Sequence, residues 1–192
     1  VAMTQPLTTP SPVNAGAPSR SGVLVTVGAG ITAIAMAVYQ VATPGAPSAD
    51  FDSVLDWARE ALFLTYLVTS MAAITVARRA GLAPRAAYLL ITVGYGAIAA
   101  GVIAGMIARD DPAWFFVVGG PGNLAAAIGF VIFAVHLRRR VGFPLWGAVL
   151  CGVGGLLAVL MSELGTSVLI GAFWLFLAGR LGNLAGESDP TR

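Results

Sequence analysis

The sequence VLDWAREALFLTYLVTSMAAITVARR, residues 54–79, decides the fold. Its acidic residues stand in the first two turns, and beyond them no charged side chain interrupts the apolar run before Arg78 and Arg79. Because each helical residue rises about 1.5 Å, about 20 such residues cross a hydrocarbon layer of about 30 Å. The segment therefore predicts a membrane-spanning helix from Val54 to Ala77.

Four further apolar runs belong to the same class of segment. The predicted spans are 22–43, 54–77, 86–108, 113–137 and a run over 143–181 that is too long for one helix. We place a tight turn inside the last run at its only polar interruption, residues 162–165. The predicted fold class is therefore all-α, a polytopic membrane protein with six transmembrane helices in one bundle.

The regions outside the apolar runs are short and polar. We predict a disordered, proline-rich tail over 1–21, one six-helix transmembrane domain over 22–181, and a short C-terminal tail over 182–192. The composition agrees, with 57% hydrophobic and 10% charged residues and a mean hydropathy of +0.84. Soluble domains carry about 25% charged residues, so a soluble protein is excluded.

The sequence lacks the residues that several kinds of functional site require. The chain has one cysteine, Cys151, and one histidine, His136, so an internal disulfide, a cysteine metal cluster and a multi-histidine haem or zinc site are excluded. No Ser-His-Asp set, nucleophile elbow or phosphate loop is present. We therefore predict a non-enzymatic protein without catalytic residues, metal or cofactor. Its formal charge of +2 gives no reason to expect nucleic acid.

The charged residues orient the predicted bundle. Nine of the eleven basic residues, all of them arginine, lie on the side that holds both termini, and seven of the nine acidic residues lie on the other side. Short arginine-rich loops stay in the cytoplasm. We therefore predict a protein of the cytoplasmic (inner) membrane with both termini in the cytoplasm.

One polar stripe follows the second predicted helix. Asp52, Asp56 and Glu60 are spaced four residues apart, and the same helix face continues to Tyr66 and Ser70. Such a stripe is typical of a path for a cation or proton. The alternative is that the acidic residues are solvated at the outer start of the helix, where the helix dipole favours them.

A second carboxylate, Glu163, opens the sixth predicted helix, with Ser167 one turn deeper. We predict that Glu163 approaches Glu60 on the outer half of the bundle, where the two could share a proton, a cation or a polar ligand. The alternative is a polar turn whose carboxylate caps the helix.

The segment Gly119 to Asn123 is predicted to break or kink the fourth helix, because it contains Gly-Gly-Pro-Gly. A break at membrane depth would line a cavity, with Asn123 at the floor of a binding pocket. The alternative is an aromatic anchor over 113–118 and a helix that starts after the break.

Small residues also repeat at helical spacing. Gly101 and Gly105 lie in the third predicted helix, and Gly147, Cys151 and Gly155 lie in the fifth, so both sets are predicted to be helix-packing surfaces. The arginine and glycine turns near residues 78–82 and 139–143 resemble each other. Either a two-helix hairpin was duplicated, or each cytoplasmic turn needs the same anchor residues.

The predicted function is a small carrier or binding protein for a cation or small polar solute. Its expected ligand-binding residues, without a metal, are Glu60, Tyr66, Ser70, Asn123, Glu163 and Ser167. The alternative is a non-catalytic accessory or regulatory subunit of a membrane protein complex. The expected partners are the lipid bilayer and either a second copy of the chain or another membrane protein.

Overall fold

The computed structural model describes residues 19–43, 53–109, 113–160 and 164–187. In these ranges the chain forms six α-helices and no strand. The helices are α1 Arg20–Ala42, α2 Val54–Arg79, α3 Arg85–Ala108, α4 Phe115–His136, α5 Leu145–Leu160 and α6 Ser167–Glu187. One π-helical turn, Leu137–Val141, follows α4 directly.

The helices are arranged as a closed ring. Each helix packs on its neighbours along the chain, and α6 packs extensively on α1. Short connections make successive helices antiparallel, as in other up-and-down bundles. The interior of the ring is apolar and is filled mainly by side chains of α2, α3, α4 and α6.

The predicted all-helical bundle is confirmed. By length and composition, α1, α2, α3 and α4 are long and apolar enough to cross a membrane. The apolar parts of α5 and α6 are shorter, over Leu145–Ala158 and Ser167–Asn183. Four of the six helices therefore identify the chain as a multi-pass membrane protein. In addition, α6 continues to Glu187, beyond the end that we predicted at residue 181.

Local sequence explains where α2 begins and ends. The Ser53 hydroxyl accepts a hydrogen bond from the Asp56 amide at 3.2 Å, and the Asp56 carboxylate accepts one from the Ser53 amide at 3.0 Å. This reciprocal capping box satisfies two amides at the start of the helix. At the other end, Gly81 adopts a φ of 74°, a left-handed conformation that a residue with a Cβ rarely takes.

The predicted break at Gly119 to Asn123 is wrong, since α4 is continuous and contains Pro121, whereas the alternative of a kink stays a prediction. Proline removes the hydrogen bond to the carbonyl four residues earlier, here that of Val117 in the first turn of α4. The loss therefore falls near the helix start, and the rest of the helix keeps its hydrogen-bond ladder.

The glycines of this segment serve close helix packing instead. A Cβ on Gly122 would lie 3.0 Å from the carbonyl oxygen of Gly94 on α3. A Cβ on Gly94 would in turn meet the carbonyl oxygen of Gly122 and the amide nitrogen of Ala126, the latter at 2.8 Å. The backbones of α3 and α4 are therefore in direct contact, which small residues permit in membrane bundles.

The turns after α2 and α4 share an arginine-to-carbonyl hydrogen bond, although the chain after α4 first forms a π-helical turn. Arg78 donates to the carbonyl oxygen of Ala83 at 3.3 Å, and Arg138 donates to that of Phe143 at the same distance. Each turn contains a glycine of positive φ, and a proline precedes the next helix. The resemblance seen in the sequence is therefore a shared way of ending a helix and reversing the chain.

Candidate functional site

The acidic side chains at the start of α2 interact with residues close to them in sequence. Asp56 forms the capping box, and its carboxylate also accepts a 2.6 Å hydrogen bond from the Ser53 hydroxyl. Glu60 lies 3.4 Å from the guanidinium of Arg59, its neighbour in sequence, and both side chains are partly exposed. Such surface ion pairs contribute little stability. Asp52 lies outside the described residues.

The predicted approach of Glu60 to Glu163 stays a prediction, because Glu163 also lies outside the described residues. Ser167 is the first residue of α6 and is buried. Its hydroxyl lies 3.4 Å from the side-chain oxygen of Gln40, so it connects α6 to α1. This contact belongs to the junction that closes the ring of helices.

The polar centre of the bundle is a pair of tyrosines. The hydroxyl oxygens of Tyr66 on α2 and Tyr95 on α3 lie 2.8 Å apart, and both side chains are buried. Sequence reasoning selected Tyr66 but missed Tyr95. The signal that could have found Tyr95 is its depth along the helix. Tyr66 lies about 18 Å from Arg78 along α2, and Tyr95 lies about 15 Å from Arg85 along α3, so the two residues are at similar depths.

Aromatic rings continue from this pair across the interior. The ring centroids of Tyr95 and Phe130 are 5.9 Å apart, and those of Phe130 and Trp174 are 6.1 Å apart. Phe63 stacks on the other side of Tyr66, with centroids 6.3 Å apart. Side chains of α2, α3, α4 and α6 thus form one connected aromatic series.

Several buried hydrogen-bonding groups in this region are unmatched within the described residues. The Ser70 hydroxyl and the Trp174 indole N–H are buried and have no hydrogen-bond partner there. One hydrogen bond between Tyr66 and Tyr95 uses one hydroxyl proton, so the second O–H has no acceptor in the described part of the chain. An unmatched buried polar group costs about 1–3 kcal/mol. A molecule with acceptor oxygens would offset that cost.

The structure therefore brings together only part of the predicted set. Tyr66 and Ser70 lie one turn apart on the buried face of α2. Asn123 is half-buried on α4, and its side chain has no hydrogen bond to any of the described residues. Glu60 lies near the start of α2, and Ser167 binds Gln40. The unmatched N–H of Trp174 was not predicted, because an indole in an apolar run does not reveal whether it has a partner.

The predicted packing surfaces are confirmed as contacts within the chain. A Cβ on Gly101 would strike the ring of Phe115, and one on Gly155 would strike Phe130. Cys151 is fully buried and donates a weak hydrogen bond to the carbonyl oxygen of Phe130 at 3.6 Å. These faces hold α3, α4 and α5 together.

Comparison with known proteins adds no family to this description. No protein-family model, curated protein or solved structure matches the chain. The function is therefore argued from the residues and contacts described above.

Proposed function

We propose that this protein is a small membrane carrier or binding protein for an uncharged polar solute that accepts hydrogen bonds. The observation that carries the proposal is the set of unmatched buried donors at Tyr66, Tyr95, Ser70 and Trp174. Their hydroxyl and indole protons suit carbonyl, ether or hydroxyl oxygens of a solute. A cation would need negative charge at this depth to offset its lost hydration, and these buried groups are neutral, so the neutral solute is the better choice of the two that the sequence suggested.

The depth of these groups supports the proposal. Counted along the helices from the arginine ends, Ser70 lies about 12 Å from Arg78, and the tyrosines lie somewhat deeper. In a hydrocarbon layer of about 30 Å these positions are close to the midplane. Many carriers bind their substrate near the midplane, where either side of the membrane can be opened to it.

The second candidate is an accessory subunit that binds another membrane protein. Glycine-rich helix faces could contact such a partner, but most of the glycines already lie against other parts of this chain. Gly96 on α3 and Gly120 on α4 are different, since a Cβ on either would meet nothing within 4 Å. These open positions would let a neighbouring helix approach closely.

The carrier proposal is tested by the swelling of lipid vesicles that contain the full chain in inward gradients of glycerol, erythritol or urea. We expect faster swelling than in empty vesicles with at least one of the three solutes. The double variant Tyr66→Phe, Tyr95→Phe and the single variant Ser70→Ala should each slow it several-fold, because each removes an unmatched donor. Ser70→Ala should also unfold at a higher temperature, since removing an unmatched hydroxyl is favourable by about 1 kcal/mol.

Tyr88→Phe on α3 is the matched control for the swelling experiment. Tyr88 is only partly buried and lies outside the tyrosine pair, so its loss should leave swelling unchanged. If vesicles with the unaltered protein swell no faster than empty ones with any of the three solutes, the carrier proposal is wrong. The accessory subunit is then preferred.

We also propose that the arginine end of the bundle faces the cytoplasm in the inner membrane. In intact cells, a membrane-impermeant thiol reagent should modify Ser48→Cys and Asp111→Cys and leave Arg139→Cys unmodified. The background variant is Cys151→Ala, which removes the one native thiol. Modification of Arg139→Cys alone would show that the bundle has the opposite orientation.

A further inference from the structure

One end of the bundle carries a concentration of positive charge. Its arginines lie at the end of α2, in the π-helical turn after α4 and in the second half of α6, and we call them the arginine cluster: Arg78, Arg79, Arg138, Arg139, Arg140 and Arg180. Within the described part of the chain, no ion pair reaches any of them. Like charges held close together repel, so the cluster favours a bound anion.

Two of these arginines are held in place by the backbone. Arg78 and Arg138 each donate to a carbonyl oxygen of the turn that follows, as described above. Arg139 and Arg140 are exposed beside them.

An exposed apolar surface adjoins the cluster at the start of α5. Leu145 is 63% exposed and Trp146 is 53% exposed. The Trp146 ring lies 4.1 Å from that of Phe176 between centroids, and the Arg180 guanidinium lies 5.6 Å from the same Phe176 ring. The cationic group and the exposed tryptophan therefore share one aromatic side chain.

Two packed aromatic rings connect Arg180 to the turn after α4. The Phe143 ring packs on Phe176 with centroids 5.1 Å apart, and the carbonyl of Phe143 holds Arg138. One continuous surface is therefore bordered by the arginines of the turn after α4, by Arg180 of α6, and by Trp146 and Leu145 of α5. Its chemistry is cationic at the bundle end and apolar along the helices.

We propose that this surface binds an anionic phospholipid, with its phosphate at Arg139, Arg140 and Arg180 and an acyl chain along Leu145 and Trp146. Guanidinium groups bind phosphate oxygens in pairs of hydrogen bonds. Interfacial tryptophan is typical of the headgroup level of a membrane. A soluble phosphate would meet only the arginines, whereas a phospholipid also covers the exposed apolar side chains.

The test uses the full chain in a neutral detergent and measures the midpoint of thermal unfolding during titration with phosphatidylglycerol. We expect the midpoint to rise by several degrees. Phosphatidylcholine with the same acyl chains and inorganic phosphate should leave it nearly unchanged. In the double variant Arg139→Gln, Arg140→Gln, the lipid concentration for half of the effect should rise roughly tenfold.

Arg109→Gln is the matched control, because Arg109 is exposed at the opposite end of the bundle. It should respond to phosphatidylglycerol as the unaltered protein does. Native mass spectrometry counts retained lipid independently of stability and should show phosphatidylglycerol lost from the double variant. An equal response to both lipids, an equal response to inorganic phosphate, or an unaltered double variant would overturn the proposal.

Discussion

Gly94→Ala is expected to destabilise the bundle by about 3 kcal/mol, the upper end of the usual cost of overpacking. The added methyl group would meet the carbonyl oxygen of Gly122 and the amide nitrogen of Ala126. Both are backbone atoms and cannot rotate away as a side chain can. The helices α3 and α4 would have to separate, which would be measured as a lower midpoint of thermal unfolding in detergent.

Gly96→Ala is the matched control on the same helix. A Cβ at this position meets nothing within 4 Å. The same change of glycine to alanine therefore adds no steric conflict and favours the helix by up to about 1 kcal/mol. Equal midpoints for the two variants would contradict the close contact between α3 and α4.

Phe130→Ala is expected to cost about 3–5 kcal/mol of unfolding free energy, as is usual when a buried phenylalanine is truncated. The Phe130 ring is fully buried and packs between those of Tyr95 and Trp174. Its removal would leave a cavity at the centre of the ring of helices. Near-ultraviolet circular dichroism during heating reports the loss of aromatic packing together with the unfolding midpoint.

Leu124→Ala on the same helix separates this packing effect from the loss of apolar surface in general. Leu124 is 60% exposed on α4, so its truncation should lower the midpoint only slightly. A loss of stability for Phe130→Ala no larger than that for Leu124→Ala would show that the aromatic series does not support the fold.

The helix boundaries were largely predictable, because bilayer thickness and flanking arginines limit where a span can begin and end. The prediction of 54–77 for α2 differs from the observed Val54–Arg79 by two residues at one end. The break in the fourth helix was mispredicted for a physical reason, although its bounds of 113–137 are close to the observed Phe115–His136. Glycine weakens a helix and also permits close packing, and only the partner helix shows which effect applies at Gly122.

The candidate site was less predictable than the fold. Tyr66 and Ser70 were selected because they continue a polar stripe, but the stripe itself does not show which side chain each would face. Tyr95 completes the pair from a different helix, and nothing near it in sequence is polar enough to indicate that contact. Equal depth along two predicted helices is the trace that this pairing leaves in the sequence, and depth alone does not show that the two hydroxyl groups face each other.

The contact between α1 and α6 has a consequence for biosynthesis. A Cβ on Gly30 of α1 would strike Leu175 of α6, and one on Gly171 of α6 would lie 2.9 Å from the carbonyl oxygen of Gly30. Of the six described helices, α1 leaves the ribosome before the other five and α6 leaves after them. At about 5–20 residues per second, α1 waits on the order of ten seconds for its partner. During that interval the insertion machinery or lipid must cover the α1 face, so a nascent chain arrested before α6 exposes it to the cell's quality control.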